Sequence, residues 1–109
     1  MTFKIITRPL ALKSILDLAD HVAKDNVPAA IRLLDAFEES CRFLADHPHS
    51  GEKIDEQDPT LAGYRIWQVR GFPSHLIVFR SVAGAIEIVH AFHAARDLSA
   101  VVRELASQE

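Results

Sequence analysis

Apolar residues follow a three-to-four spacing in the first half of the chain and form short, dense runs in the second. Residues 2–7 set Phe3 and Ile5 against Thr2 and Lys4 in imperfect alternation, which predicts an opening strand. Pro9 then suits a first helical turn, with Thr7 as the predicted cap. Leu12, Ile15, Leu16, Ala19, Val22 and Ala23 recur at helical spacing over about four turns. Asp25, Asn26 and Pro28 repeat the punctuation, so a second helix starts near Pro28 and must stop before Pro48. Its apolar stripe is Ala30, Ile31, Leu34, Phe37, Cys41 and Leu44. The short link makes the pair an antiparallel hairpin, and a hairpin whose helices cannot bury their stripes alone needs a sheet beneath it.

That sheet is predicted from residues 64–70, 75–80 and 86–92, three runs rich in β-branched and aromatic residues. Gly71 and Pro73 form the turn between the first two, and a three-stranded antiparallel meander follows. Residues 47–59 read as a solvated crossing loop. Leu98, Val101, Val102 and Leu105 predict a short terminal helix. The expected fold class is α+β in the order β-α-α-β-β-β, a helix hairpin on a small, twisted, mainly antiparallel sheet.

Composition narrows this picture. With 109 residues, 49% hydrophobic and 25% charged, the chain is expected to form a single domain over residues 1–109. No run approaches the roughly 20 apolar residues of a membrane span, and residues 1–8 lack the pattern of a secretory signal. The lone Cys41 cannot form an internal disulfide, so the expected location is a reducing cytoplasm. A net charge of −3 argues against a chain whose main role is coating nucleic acid, and no direct sequence-specific nucleic-acid binding is expected of it alone. Charge is uneven: residues 1–59 hold 7 Lys/Arg against 11 Asp/Glu, and residues 60–109 hold 5 against 4, all five cations being arginine. Arginine suits planar, two-point contacts with carboxylate or phosphate.

The element order, Pro48 and Gly51 after the second helix, Gly71-Phe72-Pro73, Val78-Phe79-Arg80 and residues 87–98 together resemble the RelE/ParE superfamily of toxins from type II toxin-antitoxin systems. The ending, an apolar strand followed by His93, two alanines, Arg96 and Asp97, is similar to the ParE type. RelE-type members cleave messenger RNA on the ribosome with spread basic residues and a tyrosine. Their two strand lysines fall at Arg65 and Trp67, a third-strand arginine falls near Leu76, and the last arginine is matched by Arg96. No tyrosine follows Arg96, and the only one in the chain is Tyr64. Losing such groups costs on the order of 10² or more in rate each, which disfavours an enzyme. ParE-type resemblance implies a non-enzymatic DNA gyrase inhibitor, without a cofactor, neutralised by a cognate antitoxin and able to pair as a toxin dimer within a hetero-oligomer. The alternatives are a RelE-like ribonuclease, or a non-toxic member that only binds antitoxin.

Candidate partner contacts are Arg65, Trp67, Arg70, Arg80, His93 and Arg96, with the arginines expected along the open sheet face. Trp67 has two readings, an exposed interface anchor and a core residue under the helices. His75, His90, His93 and Asp97 raise a metal site, but strand residues three apart face opposite ways, so no metal is expected. His93 is read as a hydrogen-bonded residue orienting the turn that carries Arg96, and Asp97 as a cap of the terminal helix. Leu10, Leu18 and Leu33 lie off the main stripes and have two readings, a surface for a partner helix and a wide stripe packed against the sheet. The resemblance implies an antitoxin segment that folds on binding across hairpin and sheet, burying well over 1,000 Å².

Overall fold

A computed structural model describes residues 2–54, 59, 62–96, 100, 101, 103 and 105. Strand β1 (Lys4–Thr7) leads into helices α1 (Pro9–Ala23) and α2 (Val27–Asp46), followed by strands β2 (Glu52–Lys53), β3 (Arg65–Val69), β4 (Phe72–Val82) and β5 (Ala85–His93). The sheet has five strands in the order β1-β5-β4-β3-β2. β1 runs parallel to β5, and every other pair is antiparallel. The expected meander is therefore the centre of the sheet. The helix pair carries the chain across so that β1 lies beside the last strand.

Local chemistry explains the helix ends. Thr7 closes β1 and does not cap α1; the cap position falls to Arg8 in extended backbone, and Pro9 occupies the first turn, where its missing N–H costs nothing. Asn26 caps α2 through Oδ1, which accepts from the Ala29 N–H at 3.0 Å.

The sheet is covered on both faces. Toward the helices, Ile77, Phe79, Ile86 and Ile88 pack against Ile15 of α1 and Leu33, Phe37 and Leu44 of α2. On the far face, Tyr64, Val78, Val89 and Phe92 pack against Val101 and Leu105. Ala100, Val101, Arg103 and Leu105 have helical backbone, in agreement with the terminal helix predicted there. Two-sided burial is why residues 77–79 and 88–89 are solidly apolar instead of alternating.

The stripe assignment on the hairpin requires correction. Of the two readings of the off-stripe leucines the wide stripe holds, since Leu33 is fully buried and Leu10 and Leu18 are half-buried, Leu18 against the core. Leu12, Leu16, Ile31 and Leu34, assigned to the buried stripe, are exposed. Leucines and isoleucines occupy so much of each helix circumference that spacing alone does not select the face. The sheet selects it, because small residues such as Ala11, Ala19 and Ala36 bring the backbones close, and these are buried.

Gly71, at φ +84, supplies the left-handed position of the β3–β4 turn. Pro73 lies where the β3–β4 register shifts, between the Gln68–Leu76 and Val69–Phe72 pairs, so its lack of an N–H breaks no regular ladder bond there.

Candidate partner-binding surfaces

The side chains proposed for docking do not line one face. Arg65 and Trp67 alternate with Ile66 and turn toward the helices. Arg65 Nη1 donates to the Gly51 carbonyl at 3.3 Å. Trp67 stacks on Phe43 of α2, ring centres 5.0 Å apart and planes 21° from parallel, and Phe43 in turn lies 4.4 Å from His47. Trp67 is therefore the half-buried tryptophan under the helices, of the two readings open to it. Its buried Nε1 has no hydrogen-bond acceptor among the described residues. A cleft of about 60 Å³ beside it is lined by Glu39, Ser40, Phe43 and the exposed Arg70.

At the far end of the strands, His75 pairs with His93 across β4 and β5, with ring centres 5.3 Å apart. Burial, with the neighbouring His93 charge as a lesser cause, holds the His75 pKa below its ordinary value of 6.5. His93 Nδ1 accepts from the Ala95 N–H at 3.0 Å, and its carbonyl accepts from the Arg96 N–H at 2.9 Å. His90 is buried against α1, its Nδ1 3.1 Å from Ser14 Oγ. Among the described residues, no group of three or more His, Cys, Asp or Glu side chains could hold a metal ion. Asp97 lies outside the described residues.

Two surfaces stand out. The first is a groove of about 320 Å³ between β1 and the hairpin, walled by Ile5, Leu12, Leu34 and Cys41 and edged by Glu38 and Arg42. Leu16, Val27 and Ile31 extend its apolar character along the exposed side of the helices. Burial, helped by the Glu38 carboxylate, pushes the Cys41 thiol up to about 11, so it is a neutral part of the wall at physiological pH. The second lies on the far face of the sheet. There Arg80, predicted as a contact, pairs with Glu87 of β5, which also pairs with Arg8, the residue after β1; neither Glu87 nor Arg8 was predicted. One signal could have marked them, since Glu87 is the only acidic residue between positions 60 and 96 and sits between Ile86 and Ile88, where it needs a cation beside it.

Together these features define a small α+β protein with an apolar groove and, among the described residues, the edge strand β1 beside it. The sequence pattern of the ParE toxin of type II toxin-antitoxin systems, parDE, matches residues 5–98. The chain belongs to that family. Among solved structures it is similar to the chromosomal ParDE toxin-antitoxin system from P. aeruginosa, with a TM-score of 0.68 and 16% identity over 84% of this chain and 96% of that one. At that identity the likeness speaks for the fold. No curated protein sequence matches the chain.

Proposed function

We propose that this chain is a toxin that inhibits DNA gyrase by binding it and is neutralised by a cognate antitoxin. The observation that carries the reading is the family match over residues 5–98. The groove supports the antitoxin half of it. An amphipathic helix needs an apolar trough of this kind, and exposed Ile5, Leu12 and Leu34 gain by being covered. β1 is an edge strand with all four residues exposed, able to accept an added strand from the same partner.

Inducible expression with parallel assays of supercoiling and protein synthesis tests the target. The expected result is loss of gyrase supercoiling with translation continuing. Translation arrest with cleaved messages would select the RelE-like ribonuclease, and unchanged growth the member that only binds antitoxin. Co-expression with the adjacent small open reading frame tests the partner. Its product should co-purify with the wild type and fail to co-purify with Leu34→Glu, which places a charge in the groove wall.

A further inference from the structure

Helix α2 presents two separate sides to its surroundings. Glu38, Cys41 and Arg42 wall the apolar groove, whereas Glu39, Ser40 and Phe43 lie roughly the other way round the helix and line the smaller cleft with Trp67 and Arg70. Polar groups in this cleft are left over. Ser40 is only 3% exposed, yet its hydroxyl makes no hydrogen bond to a described residue, where a buried hydroxyl normally has one. Arg70 and Glu39, both exposed, bring opposite charges to the walls of one cleft and form no ion pair with each other or with another described residue. Phe43 and Trp67, stacked with ring centres 5.0 Å apart, supply the apolar remainder of the wall.

We propose that this cleft binds a primary carboxamide, the head group of an Asn or Gln side chain. Charge selects it first. Arg70 repels a cation and Glu39 an anion, so the occupant is neutral overall, with an acceptor at one end and a donor at the other. A carboxamide has both: its oxygen accepts from Arg70, its NH₂ donates to Glu39, and the Ser40 hydroxyl can serve either end. Size selects it next. A cleft of about 60 Å³ is twice a water's share of liquid volume, about 30 Å³, and takes an amide head; a benzene-sized ring needs about 150 Å³, which excludes a phenyl group or a nucleobase. The amide is also planar, with faces that lie against Phe43 and Trp67, whereas a zwitterionic head would lose the hydration of two full charges there. Trp67 Nε1 is shielded from solvent and takes no part in the bonding. The cleft shares no described wall residue with the groove, and the proposal does not rest on the antitoxin reading.

Trp67 is the only tryptophan in the chain and lines the cleft, so its indole N–H resonance in the nitrogen-15-labelled full chain reports occupancy directly. Titration with propionamide, the Gln head, is expected to shift that resonance saturably, while propionate and propylammonium leave it in place. Ser40→Ala and Arg70→Ala should each raise the fitted Kd for propionamide roughly 3- to 10-fold. Arg70 is exposed, so its variant serves if the Ser40 variant does not fold. Leu34→Glu should respond as the wild type does, so failure of groove docking cannot pass for failure here. The peptides Gly-Gly-Gln-Gly-Gly and Gly-Gly-Glu-Gly-Gly then identify the source. A shift with the Gln peptide alone supports a polypeptide side chain as the occupant, and a shift with propionamide but neither peptide supports a free small amide. Equal shifts from propionamide and propionate, equal Kd values for wild type and Arg70→Ala, or no saturable shift, as in a cleft that holds only water, would overturn the proposal.

Discussion

The outer side of the hairpin and the far face of the sheet carry similar chemistry, ion pairs beside aliphatic side chains, in opposite settings. On the helices, the Lys13–Asp17 and Glu38–Arg42 pairs are 61–74% exposed, one turn apart on their own helix. On the sheet, Glu87 is 12% exposed, and its arginines come from distant segments at 26% and 31%. An exposed pair within one helix contributes only a few tenths of a kcal/mol, because water competes for both charges. A carboxylate largely withdrawn from water holds its partners in fixed positions, and breaking that cluster costs more. Charge on the hairpin therefore keeps an apolar surface soluble, whereas charge on the sheet builds a defined shape.

The sharpest way to break this comparison uses two adjacent leucines. Leu33→Ala, which empties a fully buried site, should lower unfolding free energy by about 2–5 kcal/mol in urea titration. Leu34→Ala, at a position 36% exposed, should cost under about 1 kcal/mol while weakening antitoxin capture. Equal losses at both positions would mean the hairpin is rotated from the face described.

Next in size is the sheet cluster. Glu87→Ala strands two guanidiniums and should cost about 1–3 kcal/mol, whereas Asp17→Ala on α1 should change stability by less than about 0.5 kcal/mol. High salt should leave the first difference largely intact and erase the second.

A smaller, directional effect concerns pH. His75 binds its proton less readily in the folded chain than its ordinary value of 6.5 implies, so the unfolded chain takes up more protons on acidification. The stabilisation is full above pH 6.5 and is lost as pH falls through the lower folded value. Denaturant midpoints at pH 7.5 and 5.5 should differ in that sense, and His75→Phe should narrow the gap.

The smallest change sits in the β4–β5 turn, where Ala83 adopts φ +43 next to Gly84 at φ +82. Both residues are left-handed, as a two-residue hairpin turn requires, and alanine fits that conformation poorly. Ala83→Asn should raise the melting temperature by a few degrees, roughly 0.5–1 kcal/mol.

Much of the fold was legible in the residues. Pro9, Asn26, Pro28 and Pro48 bracket the two helices, and the three dense runs mark the sheet's centre. These signals are local: a cap, a proline or a spacing acts over a few residues and keeps its meaning wherever the segment docks. The short β2 was not legible, since two residues of a polar loop become a strand only by pairing with β3.

The candidate surfaces were less legible, for the same reason. One residue along a helix is a turn of 100°, so Leu33 and Leu34 differ in fate by the docking angle alone, which no spacing within an all-round apolar helix records. Arg8 and Glu87 are distant in sequence and meet only because the hairpin returns the chain to lay β1 parallel to β5. The residues by themselves determined the two helices, the first strand and the three central strands, and that this is a ParE-type chain. Only the packed sheet decided which leucines face outward and which arginines share a carboxylate, because burial and charge pairing depend on distances between segments that local sequence does not encode.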